Sequence, residues 1–345
     1  MISRAEPSFP LYNQIMENLE AYVAEIRESY REKAQALGDI YIENFSYLHA
    51  YIREGKGIKI FKGIFKGSEL PAVIVGAGPS LDQHVEALKA SKDNCFIICL
   101  DAAYPVLEKN GIQPHCIVCL DHSDRQWFNF KDRDLQGTFV MLSTTIHPLT
   151  FDEVRRSKGR VLWFNIADGS TPVCKAISKM SGGKGALYPG SLTSSGAMQL
   201  AIWMGIEKMA FIGHDLCYLD LNKGYSEEVS EDKKNFQKMT KIDRDLIPFP
   251  DINGKEVMTH ESFVTFYGWI NETSQTMWPS VQLFNCSGQG ILHGPKIVQM
   301  SFDNFLKYHG RQDLGEEATK FMNELWIAYR NQLDDIIDVE PIEPN

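Results

Sequence analysis

The sequence predicts an α/β protein with a Rossmann-like, mostly parallel sheet that carries helices on both faces. From residue 71 onward, short apolar segments alternate with amphipathic helical segments. The strand segments are apolar almost throughout, as in parallel sheets that are covered on both sides by crossover helices. The chain has 345 residues, of which 43% are hydrophobic, and is long enough to bury a core of this kind.

The chain divides into three predicted regions. Residues 1–64 carry apolar positions at helical spacing and predict a helical N-terminal extension, built from one long helix or from two that break near Gly38. Residues 65–300 hold the Rossmann-like domain. Within it, residues 215–260 lose periodicity and fill with charge, which indicates a lid or an insertion. Residues 301–345 predict one long C-terminal helix and a tail.

Each predicted strand of the central domain is short and bounded by polar or glycine-containing turns. The predicted strands are 72–78, 95–101, 115–121, 138–144, 160–166, 208–215 and 281–285. The predicted helices are 81–91, 102–111, 171–180, 191–205 and about 260–276. This alternation indicates repeated strand–helix–strand units.

Composition excludes several classes of function. A net charge of −10 argues against a nucleic-acid surface, because such a surface needs clustered Lys and Arg. No apolar run reaches the ~20 residues of a membrane span, and the N-terminus lacks the apolar core of a signal peptide. We therefore expect a cytoplasmic protein with no nucleic-acid partner and no membrane span.

Seven cysteines include a C-x-x-C pair, Cys116 and Cys119. Both lie in an apolar segment that predicts a buried strand. Residues three apart on a strand point to opposite faces, so these two thiols are poorly placed to share a metal ion. We interpret the cysteines as small core residues and predict no protein-bound metal site.

Polar residues follow four of the predicted strands. They are Gly76 to Ser80 after the first strand, Asp101 after the second, Asp121 and Asp124 after the third, and Gly213 to Asp215 after a later one. Ligands of such sheets bind beyond the carboxyl ends of the strands. Any single Asp could simply cap a helix. Four polar strand ends on one rim predict an active site.

The first glycine turn is a candidate phosphate site. Gly76 and Gly78 would let a phosphate or sugar approach the backbone, and Ser80 would present an amide to an anion. Leu81 replaces the third glycine of the dinucleotide pattern and Pro79 is unexpected there, so the turn does not predict dinucleotide binding.

A second candidate phosphate site opens the helix at 191–205. Gly190, Ser191, Thr193, Ser194 and Ser195 supply more hydroxyl groups than one N-cap requires. Amides and hydroxyls at this helix start could therefore face an anionic group. The segment lacks the Gly-Lys-Ser/Thr ending of a Walker A loop.

These segments carry a family resemblance. "VIVGAGPSLD", "CLDAAYPVLEKNGIQPHCIVCLD" and "GSLTSSGAMQLAIWMGIEKMAFIGHDLCY" resemble the domain shared by the Maf motility accessory proteins and the archaeal 6-hydroxymethylpterin diphosphokinases. The likeness covers roughly residues 65–300. The Maf proteins are implicated in transferring nonulosonic acids from CMP-activated donors to flagellin, and their central domain is similar to bacterial Rossmann-type sialyltransferases.

The resemblance implies roles for particular residues. The glycine turn would receive a nucleotide or pyrophosphate, and Tyr218 and Tyr225 would contact the departing phosphate. His260 matches the expected base by its order in the chain, with His214 as its rival. Asp215 belongs to the same catalytic strand end.

The two halves of the family imply different chemistry. A transferase would use a nucleotide-sugar and a protein or glycan acceptor and would require no cofactor, with Asp101 and Asp121 positioning a ribose or sugar. A diphosphokinase would use ATP and Mg²⁺, with Asp101, Asp121, Asp124 and Asp215 as the candidate carboxylates. A third possibility is a non-catalytic binding module. It would dock a partner through the acidic segment 220–245, with side chains filling the strand-end rim. We favour the glycosyltransferase.

Overall fold

The computed structural model describes residues 32, 34–167, 172–188, 190, 192–220, 225, 226, 229 and 246–328. In chain order its strands are β1 (Ala72–Val75), β2 (Phe96–Leu100), β3 (Cys116–Cys119), β4 (Phe139–Ser143), β5 (Arg160–Ile166), β6 (Ala186–Leu187), β7 (Lys208–Ile212), β8 (Leu246–Pro250), β9 (Glu256–His260), β10 (Gln282–Asn285) and β11 (Ile297–Gln299). Nine of them form one sheet in the order β11-β10-β7-β1-β2-β3-β4-β5-β6, while β8 and β9 form a separate hairpin. Every pairing within the nine-stranded sheet is parallel.

Helices cover both faces of the sheet. They are α1 (34–54), α2 (Val85–Ala90), α3 (Tyr104–Lys109), α4 (Pro148–Arg156), α5 (Pro172–Met180), α6 (Thr193–Met204), α7 (Glu261–Thr276), α8 (Phe302–His309) and α9 (Leu314–Ala328). Short 3₁₀ helices lie at Ile58–Phe61, Pro79–Gln83, Asp101–Ala103 and Gln126–Asn129. The predicted α/β class is therefore confirmed.

The core consists of two apolar layers that the sheet separates. Alternate residues of each strand enter opposite layers, as the pleat requires. Cys116 packs in the layer with α6, α7 and α9, and Cys119 packs in the layer with α1 to α5 and α8. All seven cysteines are buried and free, and no group of three His, Cys, Asp or Glu side chains within the described residues could hold a metal ion.

The strand order sets the position of the ligand crevice. From β1 the chain proceeds outward through β2 to β6, and then returns to add β7 on the other side of β1. The connections that leave the carboxyl ends of β1 and β7 therefore run to opposite sides of the sheet. The crevice between them is the switch point, where doubly wound sheets bind ligands.

Three features of the structure were left open, wrongly predicted or not predicted from the sequence. Helix α1 continues through Gly38, so the alternative of two helices with a break there is wrong. A Cβ on residue 38 would lie 3.3 Å from Val173 Cγ2, and this close packing accounts for the glycine. The single C-terminal helix is two helices, because the chain turns at Gly310 and Asp313 has a φ of +68°. Helix α4 was not predicted.

The charged segment 215–260 contains structure that periodicity did not reveal. Its last part is the β8–β9 hairpin, and Tyr218 bridges to Met258 of that hairpin. Residues 221–224, 227–228 and 230–245 lie outside the described residues, so the acidic docking segment and the lid stay predictions. Across the part of the chain that is described, no helix has the length and apolar character to cross a membrane.

Candidate active site

A cavity of about 220 Å³ lies at the carboxyl ends of β1, β2, β3 and β7, and we call it the carboxyl-end cavity. It brings together most of the predicted rim. Its lining includes Gly76, Gly78, Asp101, Asp121, Gln126, Thr193, Ser194, His214, Asp215, Tyr225 and Phe263. Asp124 is exposed and lies outside this lining. The described part of the rim borders an open cavity, whereas the binding-module alternative predicts a rim filled by side chains. That alternative stays a prediction, because most of the segment 220–245 lies outside the described residues.

Two glycine turns close against each other at the wall of the cavity. Gly76 N donates to the carbonyl of Ile212 and Gly78 N donates to the carbonyl of Gly213, both at 2.9 Å. A Cβ on Gly78 would lie 2.4 Å from Oδ2 of Asp215, and one on Gly76 would lie 2.5 Å from the carbonyl oxygen of Gly213. The approach of the β7 turn therefore requires these glycines, whether or not a ligand reaches their backbone.

The backbone amide of Ser80, which the sequence predicts to bind an anion, instead binds a carboxylate of the protein itself. Ser80 N donates to Oδ2 of Asp215 at 2.9 Å, and both residues are buried. Burial raises the pKa of the Asp215 carboxyl, and the hydrogen bonds from Ser80 and Gln289 oppose that rise. Pro79 begins the short 3₁₀ helix at this point. Because neither Pro79 nor Ser80 lines the cavity, the structure places these two predicted contacts behind the site.

His214 is buried in the cavity wall and uses both ring nitrogens. Nδ1 lies 2.9 Å from the carbonyl oxygen of Ile212, which can only accept, so the hydrogen bonds assign the proton to Nδ1. Nε2 lies 3.0 Å from Oγ of Ser194 and accepts from that hydroxyl. Burial lowers the pKa of His214 to about 4. His214 is thus a neutral residue that orients Ser194, and it is a weak base at pH 7.

Asp101 and Asp121 are linked by two amide side chains. Asn129 Nδ2 donates to Asp101 Oδ2 at 2.9 Å and to Gln126 Oε1 at 3.1 Å, and Gln126 Nε2 donates to Asp121 Oδ2 at 2.8 Å. Ser123 N donates to the other oxygen of Asp121 at 2.9 Å. This network fixes both carboxylates as hydrogen-bond acceptors on adjacent strand ends.

The sequence did not identify Gln126 and Asn129 as site residues. They lie on a 3₁₀ helix of four residues, which is too short to produce a periodic pattern. The available signal was their proximity in sequence to Asp121, which ends a strand. Both are buried, as expected for amides that connect two carboxylates.

The start of α6 faces the cavity with its first turn. Thr193 and Ser194 line the cavity, and the N-cap residue is Leu192, so no side chain caps this helix. Ser195 is turned away and donates its hydroxyl to the carbonyl of Leu192 at 2.6 Å. A Cβ on Gly190 would lie 2.7 Å from Cβ of Ser195. Ser191 lies outside the described residues.

The remaining candidates lie around the cavity mouth. Tyr225 lines the cavity, and the following residue, Ser226, donates its backbone N–H to the carbonyl of Ala77 at 2.9 Å. Tyr218 stands outside the lining, with its ring 6.2 Å from the ring of Phe263. Of the predicted tyrosines, the structure therefore brings Tyr225 to the cavity and leaves Tyr218 one aromatic ring away.

His260 is the N-cap of α7. Its Nδ1 accepts from Ser262 N at 3.2 Å and is 2.9 Å from Ser262 Oγ. Its ring lies 6.3 Å from Phe263, which lines the cavity, whereas His260 itself does not. The structure therefore places His260 outside the lining and next to Phe263. Its Nδ1 caps the helix, and Nε2 is the ring nitrogen that takes no part in the cap.

The charge of the cavity lining is distinctive. Asp101, Asp121 and Asp215 contribute carboxylates, and no Lys or Arg of the described chain lines the cavity. The neutral donors in the lining are the first turn of α6, the Thr193 hydroxyl and the Tyr225 phenol, because the Ser194 hydroxyl already donates to His214. Mg²⁺ typically binds through one or two carboxylates together with nucleotide phosphates. Asp101 and Asp121 fit that limited role, while Asp215 is engaged by Ser80.

A doubly wound parallel sheet with a polar cavity at its switch point defines the chain as a Rossmann-like protein. It belongs to the 6-hydroxymethylpterin diphosphokinase MptE-like family, whose sequence model matches residues 43–221. The predicted Maf and MptE-like family relationship is thereby confirmed.

Two similar proteins add to this assignment. An uncharacterized protein from Treponema pallidum (strain Nichols) is 33% identical over 54 residues, which is 16% of this chain and 26% of that protein. The Maf glycosyltransferase structure from Magnetospirillum magneticum AMB-1 has a TM-score of 0.51 and 17% identity, covering 82% of this chain and 42% of that one. The chain matches less than half the length of either protein, and the structural likeness establishes the fold.

Proposed function

We propose that the protein is a glycosyltransferase that uses a CMP-activated nonulosonic acid, a sialic-acid-like sugar, as its donor. The observation that carries this proposal is the charge of the carboxyl-end cavity, which holds neutral anion donors and no Lys or Arg in its described lining. A CMP-nonulosonic acid carries one negative charge on its phosphodiester and one on the carboxylate of its sugar. The start of α6 and the Tyr225 phenol can stabilise the phosphodiester charge.

The carboxylates have a role in this proposal. Ribose and sugar hydroxyls donate hydrogen bonds, and Asp101 and Asp121 are acceptors held at fixed positions by Asn129 and Gln126. They follow the paired strands β2 and β3, so one nucleoside or sugar that lies across these two strands could contact both. The fold likeness to a Maf glycosyltransferase supports the same reading.

The transfer breaks the bond between the anomeric carbon and the CMP oxygen and forms a bond to the acceptor hydroxyl. A base accepts the hydroxyl proton, and CMP leaves with the electron pair. We assign the base to His260, since His214 has a pKa of about 4, which makes it a weak base, and its Nε2 is already bonded to Ser194. Catalytic hydrogen bonds often form only in the substrate complex, and His260 is one aromatic ring from the cavity.

A second candidate function is pyrophosphoryl transfer from ATP, which the family name indicates. The observation that favours it is the presence of three carboxylates in one cavity. A triphosphate would enter an acidic cavity with no Lys or Arg in its described lining, so this reaction would need Mg²⁺ to offset the charge. Asp101 and Asp121 would hold that ion together with the phosphates.

The test is a thermal-shift comparison of CMP, CTP, ATP and GTP, each with and without Mg²⁺. A ligand at about 100 times its dissociation constant stabilises the folded state by roughly 2.7 kcal/mol. We expect stabilisation by CMP without metal, and we expect it to weaken in Tyr225→Phe. Stabilisation by ATP only with Mg²⁺, lost in Asp121→Asn, would establish the diphosphokinase instead.

A matched control separates binding from folding. Tyr308 on α8 is 59% exposed and is not among the residues that line the cavity, so Tyr308→Phe makes the same chemical change outside the site. We expect Tyr308→Phe to bind CMP as the wild type does. If no nucleotide stabilises the protein under any condition, both enzymatic proposals are contradicted.

A further inference from the structure

A second cavity lies at the opposite end of the sheet, and we call it the amino-end cavity. It also measures about 220 Å³ and is bounded by the residues that precede β3, β4 and β5 and by helix α9. Its polar lining residues include Lys92, Gln113, His115, Arg160, Thr319 and Asn323. His115 and Asp121 stand at opposite ends of β3, so roughly 20 Å of strand separates the two cavities.

The amino-end cavity is cationic in an acidic protein. Lys92 and Arg160 line it, and no Asp or Glu of the described chain does so. The protein as a whole has a net charge of −10. A concave surface with two cations and no lining carboxylate attracts anions from solution.

Arg160 lacks the compensation that a partly buried cation normally has. Its guanidinium donates to Oδ1 of Asn323 and lies 5.3 Å over the ring of Phe139. Among the residues that the structure describes, no carboxylate forms an ion pair with it. Desolvation lowers the pKa of Arg160, so its charge is held at a cost that a bound anion would relieve.

His115 adds shape to this cavity and no charge. Its Nδ1 accepts from Ile97 N at 2.9 Å, so the hydrogen bonds assign the proton to Nε2, which lies 3.0 Å from the carbonyl oxygen of Gly315. His115, which precedes β3, thereby connects Ile97 of β2 to Gly315 at the start of α9. The pKa of His115 is lowered to about 4, mainly by burial and also by Lys92, while the Gly315 carbonyl and Asp93 oppose this lowering.

We propose that the amino-end cavity binds a small oxyanion, a phosphate or a phosphate monoester, at a site distinct from the carboxyl-end cavity. Arg160 contacts two of its oxygens through the guanidinium fork, and Lys92 neutralises charge from the rim. Asn323 places the same anion against α9 through its side-chain N–H groups, since its Oδ1 accepts from Arg160. The Thr319 hydroxyl donates to the carbonyl of Gly315 and borders the anion without donating to it. The site would therefore connect ligand occupancy to the docking of the C-terminal helix on the sheet.

The test is titration calorimetry of the full chain with inorganic phosphate, with ionic strength held constant by NaCl. We expect saturable binding by the wild type. Because Lys92 is exposed, Lys92→Gln leaves the core intact. Each of Lys92→Gln and Arg160→Met should weaken phosphate binding about tenfold, the effect of losing one charge-assisted interaction. Arg160→Lys, which keeps the charge and loses the fork, should weaken it less.

Lys89→Gln is the matched control, because Lys89 is an exposed lysine close in sequence to Lys92 and outside the lining. It should bind phosphate within about twofold of the wild type. Excess cytidine, which has the nucleoside of the proposed donor and no phosphate, should leave phosphate binding unchanged, since the proposed nucleotide site is at the other end of the sheet. Unsaturable binding by the wild type, or equal affinity in Lys92→Gln and the wild type, would overturn the proposal. Displacement of phosphate by cytidine would also do so.

Discussion

The two cavities are similar in volume and opposite in charge. The carboxyl-end cavity is lined by three carboxylates and no described Lys or Arg, whereas the amino-end cavity is lined by Lys92 and Arg160 and no described carboxylate. Each contains one buried, neutral histidine, His214 in the first and His115 in the second. The two cavities lie at opposite ends of the same sheet, and β3 runs from one to the other.

The difference lies in how each cavity is built. Backbone approach builds the carboxyl-end cavity, where the turns at Gly76 and Gly213 leave no room for a Cβ. The amino-end cavity is built by side chains of α9 and by the residues before three strands. Strand polarity explains the contrast, because long functional connections leave the carboxyl ends of parallel strands and close the crevice there. The amino ends are covered by whichever helix packs across them.

The largest effect should come from breaking the backbone clamp. Gly213 has a φ of +66°, and a Cβ there would lie 2.1 Å from the carbonyl oxygen of Gly76. Gly213→Ala should lower the free energy of unfolding by about 3 kcal/mol, from left-handed strain plus overpacking. Gly254→Ala is the control, because Gly254 has a φ of +77° and open space around it. It should cost about 1 kcal/mol. Equal costs in urea denaturation would contradict the clamp.

The next effect concerns the two histidines. The pKa of each is lowered to about 4 by burial, against 6.5 when unfolded. Their stabilising contribution is therefore complete above pH 6.5 and is lost as the pH falls toward 4, because only the unfolded state binds the proton. Each should account for roughly 3 kcal/mol of this loss. His115→Gln and His214→Gln should each flatten the dependence of unfolding free energy on pH. Their effects should add, since the sites are distant. Two variants with the wild-type pH profile would contradict the assignment.

A smaller effect of opposite sign is expected at Asp215. Its pKa is raised by burial, so the folded state binds a proton more readily than the unfolded state does. The contribution of Asp215 to stability is therefore present at low pH and declines as the pH rises through its folded pKa. Asp215→Asn should gain stability relative to the wild type as the pH rises through the folded pKa of Asp215. Chemical denaturation at several pH values measures this difference, and a constant offset would argue against it.

The smallest effect should be that of Arg160→Met on stability without phosphate. The methionine keeps apolar contact with Phe139 and removes a cation that lacks a described carboxylate partner. The free energy of unfolding should change by less than about 1 kcal/mol. A loss of several kcal/mol would mean that Arg160 has a structural role. Arg160 would then resemble the glycines of the carboxyl-end cavity, which the fold requires, and the contrast between the two cavities would be smaller.

Much of the fold and part of the site could be predicted from the sequence. Strands such as Ala72–Val75 and Phe96–Leu100 can be recognised in the sequence as short, wholly apolar segments, because both faces of these strands are buried. The cysteines of β3 were correctly assigned to the core. Asp101 and Asp121 were found because they follow two such strands. Helix α4 and the β8–β9 hairpin were missed, since their patterns are set by tertiary contacts and not by periodicity.

Within the site, the outcome depended on which partners the fold supplied. Ser80 was expected to hold a ligand, but the turn after β7 places Asp215 on its amide. Nothing local to either segment predicts a contact between residues 135 positions apart. Gln126 and Asn129 were overlooked for the same reason, because their importance comes from the carboxylates that they join.

The sequence by itself determined the class of fold, the family and the end of the sheet where the polar residues gather. These follow from burial periodicity and from short segments, which are local properties of the chain. Only the tertiary structure decided that the two glycine turns interlock, that His214 is neutral and that a cationic cavity exists at the amino end. Each of these depends on the distance between segments remote in the chain, and hydrogen bonds, steric contact and desolvation act at short range.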